Sequence, residues 1–167
     1  NTIGELMEIG GVLSVLKSDV NAWALTATNT YTGATSINNG ILRLNAVQNL
    51  TGALNFGSAN NITTAGTLDV NENATFGSMV VQTNSAVNTN NLIIESGKAL
   101  NINGNVTLGS SAATTTTLFA ASGDGSFNVN NTVATGVTFL VGNSNTNIST
   151  ADFSALGSMN VSLNPVA

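Results

Sequence analysis

The chain has no cysteine and no histidine, and it holds a single proline, one tryptophan and one tyrosine. Without thiols there is neither a disulfide framework nor a thiolate metal centre. Without imidazole the commonest general base and metal ligand is missing. Charge is scarce too: 7% of the 167 residues are charged, against roughly 25% in an average soluble domain. Lys17, Arg43 and Lys98 face eight acidic residues, for a net charge of −5. Three scattered cations cannot build the positive stripe that neutralises phosphates, so nucleic acid is excluded as a partner. The most apolar terminal stretch, Ile3 to Leu16, carries Glu5 and Glu8 and falls short of the ~20 residues of a membrane span. A signal peptide would begin with Met and a basic region; neither precedes this stretch, so a processed form or an excised piece is expected.

In place of charge the chain has asparagine, threonine, serine and 17 glycines, over an ordinary 42% hydrophobic content. Disorder needs low hydrophobicity with high net charge, and neither holds. Strong helix formers are few, whereas β-branched residues and turn formers abound, which predicts an all-β fold. A chain of this length forms one domain with a real core, burying roughly 70% of its unfolded surface.

One unit recurs. "GTLDVNENATFGS" from Gly66 aligns with "KALNINGNVTLGS" from Lys98, with weaker copies at Gly40, Gly125 and Gly157. The lead apolar residues are Leu42, Leu68, Leu100, Phe127 and Met159, spaced inside the window of roughly 20 to 50 residues that marks solenoids, propellers or arrays. One such unit cannot bury its apolar face until neighbours stack on it, and these spacings suit a β-solenoid better than a propeller blade. Period-2 alternation supplies the inward sets: Leu42/Leu44, Leu54/Phe56, Leu68/Val70, Met79/Val81, Leu92/Ile94, Leu100/Ile102, Phe127/Val129, Phe139/Val141 and Met159/Val161/Leu163. Asparagine suits the corners between short strands, and stacked asparagines can bond from rung to rung. Rungs of about 20 to 25 residues at ~4.8 Å give six to eight rungs and open edges at both ends.

Residues 1–20 read as an N-terminal cap or assembly segment and residues 21–167 as solenoid rungs of the same domain. Ile3, Leu6 and Met7 fall at helical spacing, which predicts a short capping helix followed by a strand. With Ile9, Val12 and Leu13 they form the candidate assembly segment.

The stretch "WALTATNTYTGATSINNGILRLN", from Trp23 to Asn45, carries the most specific pattern. It resembles the autotransporter-associated β-strand repeat, the passenger-associated transport repeat of secreted bacterial β-helices. Asn29, Thr30, Tyr31, Thr32, Gly33, Thr35, Ile37, Asn38, Gly40, Leu42 and Leu44 occupy matching positions, and the lead-in from Gly10 is similar to that of the repeat. The resemblance implies a right-handed parallel β-helix, exported to the cell surface or beyond, with no catalytic residues and no cofactor. It implies the stalk or adhesin segment of a passenger, whose partners are neighbouring rungs or copies of itself and a host or surface glycan or protein. The local reading of Tyr31 to Thr35 is a strand, a turn at Gly33 and a second strand, with the threonines facing outward.

Four rivals are weighed against a structural rod. A glycan-active enzyme needs paired carboxylates ~5 to 9.5 Å apart, and outside the terminal segment Asp69 and Glu72 are the only acids close in sequence. Ice binding needs threonines stacked rung on rung, whereas here they run along one strand, echoed by "TTTT" at 114–117. Calcium-folded rolls repeat their Gly-Asp loops, and one "GDG" at Asp124 is no repeat, so no metal is expected. The remaining rival is a subunit that polymerises through its end rungs into an extracellular filament. The glycan-type sequons "NLT", "NIT", "NAT" and "NVT" arise from composition and carry no assigned function.

Overall fold

The computed structural model describes residues 1–57, 64–82, 88–109, 116–131, 138–142 and 148–163. The sequon at 61–63, Pro165 and the first half of the "TTTT" run lie outside them. Among the described residues every regular element is a strand. The first turns consist of β1 (Thr2–Ile3), β2 (Val15–Lys17), β3 (Ala22–Leu25), β4 (Thr35–Ile37), β5 (Gly40–Leu44) and β6 (Gln48–Asn49). The middle turns consist of β7 (Ala53–Phe56), β8 (Gly66–Val70), β9 (Ala74–Phe76), β10 (Ser78–Val81), β11 (Asn90–Ile94), β12 (Ala99–Ile102) and β13 (Val106–Leu108). β14 (Thr116–Asn131), β15 (Phe139–Val141) and β16 (Ile148–Leu163) are the last described strands.

Each strand pairs in parallel with the strand one turn away and not with its chain neighbour, which is the pairing of a coil. Three faces result. The first runs β1-β3-β5-β8-β11-β14, the second β6-β9-β12-β14, and the third β2-β4-β7-β10-β13-β15. β14 and its partner β16 pass through the corner between the first two faces, with register shifts there and Gly123 at φ 96°. A Cβ at Gly123 would collide with the Ile94 carbonyl of the turn before, so the corner requires glycine. The chain is therefore an all-β parallel β-helix.

Alternation accounts for the core. In β8, Gly66, Leu68 and Val70 point inward and Thr67 and Asp69 outward. Leu42, Leu68 and Leu92 form one inward column and Leu44, Val70 and Ile94 another. Ile37, Phe56, Val81 and Leu108 line the third face. All ten are buried, nearly all at 0% exposure, and each such side chain contributes about 1.5–3 kcal/mol. The asparagine ladder also forms. Nδ2 of Asn128 donates to Oδ1 of Asn101 at 3.0 Å and Nδ2 of Asn160 to Oδ1 of Asn128 at 2.9 Å, while Asn71 donates to Asn45 at 2.8 Å.

Four expectations change. Leu68 stacks on Leu92, whereas Leu100 stacks on Ala74. The two best sequence copies thus lie on different faces, since any two strand-turn-strand segments of a three-faced coil share one pattern. Turns range more widely than expected, with cross-turn bonds joining residues 19 apart near the N-terminus and 33 apart near the C-terminus. Val141 and Val161 are 45% and 44% exposed, because β15 and β16 have no described turn beyond them. No helix forms at Ile3, Leu6 and Met7. Ile3 pairs with Leu25, and the Leu6 and Leu13 amides are taken by the side chains of Asn29 and Glu8, so the amides a helix would use are committed elsewhere.

Glycines also stack. Gly33, Gly52, Gly77 and Gly104 each stand just before a strand of the third face. The Gly33 N–H donates to Leu13 O and the Gly77 N–H to Gly52 O, both at 3.0 Å. Backbones meet at this corner so closely that a Cβ on Gly52 would strike the Gly33 carbonyl, and one on Gly104 the Gly77 carbonyl.

Candidate functional site

The motif from Asn29 to Leu44 forms one turn of the coil. Asn29 is buried at the second-face position of its turn. Its Nδ2 donates to Ala27 O at 2.9 Å and to Gln48 Oε1 at 3.0 Å, and Gln48 returns a bond to Ala27 O at 2.9 Å. Thr30 and Thr32 face outward, as do Thr26 and Thr28. Tyr31 turns inward at 1% exposure, and its hydroxyl lies 2.7 Å from Thr35 Oγ1. Burial pushes the Tyr31 hydroxyl above its ordinary pKa, with the Thr35 bond working against that rise. Thr35 is therefore an inward threonine, contrary to the outward reading, because it partners the one buried phenol. The stretch before β4 is not a ladder strand, so the first of the two strands predicted around Gly33 is not formed. Ile37, Leu42 and Leu44 are core. Asn38 donates its N–H to Lys17 O at 2.8 Å, and Gly40 opens β5 at φ 68°.

The N-terminal segment lies against the motif as a strap, one turn before it. Leu6 N–H donates to Asn29 Oδ1 at 2.7 Å. The Glu8 carboxylate accepts from Thr32 N–H at 2.6 Å, from Thr32 Oγ1 and from Leu13 N–H. Ile3, Leu6 and Leu13 pack against the core, whereas Met7, Ile9 and Val12 are 55%, 90% and 77% exposed. The candidate assembly segment thus divides into an anchored half and a free half.

The Thr32 N–H above all, then the Leu13 N–H, holds the Glu8 carboxyl below its ordinary value. A depressed folded value means the latch is complete above the unfolded pKa, about 4.3, and is lost as pH falls through the folded value. Limited proteolysis is expected to cut near Gly10–Gly11 increasingly as pH drops through that window. In Glu8→Gln the strap is expected to be cut readily even at neutral pH, with little further pH dependence.

Lys17 is the residue that pattern reading misses. It lies in the inward column of Ile37 and Phe56, at 0% exposure. Its ammonium donates to Asp19 O, to Asp19 Oδ1 at 3.1 Å and to Asn39 O at 3.0 Å, and sits 5.3 Å from the Trp23 ring centroid. Partial burial of the Asp19 carboxyl would raise its pKa. Hydrogen bonds from Lys17 and the Asn21 N–H, with the ammonium charge, outweigh that and lower it. The two other cations also pair, Arg43 with Asp69 across 3.0 Å and Lys98 with Glu72 across 2.7 Å. Asp69 and Glu72, the acids nearest in sequence, are thereby committed to different cations. Among the described residues no cavity opens, no cluster of three or more acids could hold a metal, and no helix is long and apolar enough to cross a membrane.

Comparison of the chain with curated proteins and with solved structures gives no match. Residues 16–44 match the passenger-associated-transport-repeat family. That span starts in β2, makes a full circuit through the Asn29–Thr32 run, and ends on Leu44 of β5. The chain is thus a parallel β-helix in which residues 16–44 are similar to the passenger-associated-transport-repeat.

Proposed function

We propose that the chain is a non-enzymatic rod segment, exported and displayed at or beyond the cell surface as part of an adhesin or its stalk. The observation that carries this reading is that the matched repeat lies wholly on the coil, running from β2 past its stacking partner β4 and on to β5. Its polar residues are used to hold adjacent turns: Asn29 to Gln48 and Leu6, Thr32 to Glu8. A surface of neutral amides and hydroxyls with few charges suits contact with an uncharged glycan or protein through many weak bonds. The test is surface display. Fused between an export signal and an outer-membrane barrel, the chain is expected to reach the surface and become accessible to added protease only after mild unfolding. Retention inside the cell would reject the reading.

One observation favours the second reading, a subunit of an extracellular filament. Among the described residues the 16-residue β16 has a strand partner on one side only, β14, and its other edge carries Asp152 as its single charge over partly buried Phe153, Leu156, Met159 and Leu163. Unguarded edges of this kind template strand addition. Negative-stain images and light scattering of the purified chain are expected to show end-to-end chains if this edge assembles; separate short particles at high concentration would eliminate the filament.

A further inference from the structure

The corner between β4 and β5 holds a reactive dipeptide in a folded-back arrangement. The sequence has two Asn-Gly pairs, Asn39–Gly40 and Asn103–Gly104. Gly40 cannot be replaced: its φ is +68°, and a Cβ there would lie 2.6 Å from Asn21 O and 2.6 Å from Lys17 Nζ. The Gly40 N–H donates to Asn39 Oδ1, its own neighbour's side chain, at 2.8 Å. That bond keeps the side-chain carbonyl of Asn39, and with it Cγ, close to the following main-chain nitrogen. At Asn103–Gly104 the bond that is made is instead from the Asn103 N–H to Phe76 O of the turn before, at 3.0 Å.

The carbonyl of the same Asn39–Gly40 peptide carries a second feature. Asn39 O accepts from the buried Lys17 ammonium at 3.0 Å. A cation on a peptide oxygen draws electron density out of the amide, which makes the attached N–H more acidic and its conjugate base more accessible. Placing the nucleophile, its carbon target and a fixed positive charge together is the pre-organisation by which proximity and electrostatics lower barriers.

We propose that Asn39–Gly40 is a site of self-modification primed by the fold. The Gly40 nitrogen loses its proton to solvent base and attacks Asn39 Cγ. The N–Cγ bond forms, the Cγ–Nδ2 bond breaks, and ammonia leaves with a proton from water. Water then opens the five-membered imide at one carbonyl to give aspartate at position 39, or at the other to give an isoaspartyl link with one extra methylene in the main chain. No oxidant or cofactor is consumed. In the isoaspartyl product the carbonyl that Lys17 holds becomes the free carboxylate, facing the ammonium. The isoaspartyl form also lengthens the corner that sets the register of Gly40 on Gly66, so the modification is a slow, one-way change in the first turns of the rod.

The test compares the folded chain at mildly alkaline pH with the same chain in denaturant. Samples are digested over time, and amide-to-acid conversion is read at each asparagine by mass spectrometry, with isoaspartate assigned by isoaspartyl methyltransferase labelling. In the folded chain Asn39 is expected to convert severalfold faster than it does unfolded, and Asn103 no faster than it does unfolded. Equal or slower conversion of Asn39 in the folded chain would overturn the proposal, since the fold would then protect that corner. Acceleration of both pairs alike would also overturn it, because neither the side-chain bond nor Lys17 acts on Asn103.

Discussion

Gly52→Ala is expected to destabilise the chain by about 3 kcal/mol or more, toward the upper end for forced overpacking. The reason is the stack of backbones at the corner before the third face. The new methyl would overlap the Gly33 carbonyl carbon as well as its oxygen, with the Thr32 carbonyl also inside contact distance. Backbone atoms cannot rotate aside as a side-chain tip can, so the turn must open and loosen the ladder β4-β7-β10 on either side. For a chain of this size a loss of that order lowers the midpoint temperature by roughly 2–4 °C per kcal/mol. Gly11→Ala is the matched control. A methyl added at Gly11 would have nothing within 4 Å, and the residue has no positive φ, so its variant is expected to melt with the wild type. Thermal unfolding followed by circular dichroism measures both. If Gly52→Ala melts with Gly11→Ala, the close stacking of turns is wrong.

That corner shows how far a sequence can be read. The alternation of Leu68 and Val70, or of Leu100 and Ile102, is legible because a strand exposes every second residue and the core needs those positions apolar. The repeat is legible for the same reason. Which strand stacks on which is not, since Leu68 and Leu100 carry equivalent patterns and differ only in the face they occupy. Register is settled by the corners, where Gly52 and Gly77 must meet the turn before, and glycine is too common here to mark them in advance. The motif's exposed threonines are legible as outward, while Thr35 is not, because its inward place depends on one bond to Tyr31 four residues away. The strap cannot be read as such: Ile3, Leu6 and Met7 have helical spacing, and what overrides it is Asn29 and Glu8 binding the amides of Leu6 and Leu13.

Lys17 is the strongest case of tertiary context overriding pattern, and its removal carries the second large effect. Lys17→Ala is expected to cost about 3 kcal/mol, combining a cavity in the inward column with the loss of charge-assisted bonds. Breaking a fully buried pair costs about 3–5 kcal/mol, but the Asp19 side chain is 41% exposed and can rehydrate, which reduces the electrostatic part. Asn39 O and Asp19 O lose a donor in either case. Lys17→Met separates the two contributions, since it keeps the methylenes in the column above Ile37 and drops the ammonium alone. It is expected to fall between alanine and wild type, by denaturant midpoint, with Trp23 emission as a local probe because the ammonium lies 5.3 Å from that ring. If Lys17→Met matches or exceeds the wild type, the ammonium adds nothing to stability, and the column simply wants an apolar residue. A midpoint clearly below wild type places Lys17 as the clamp that ties the Asp19 corner of one turn to the Asn39 corner of the next.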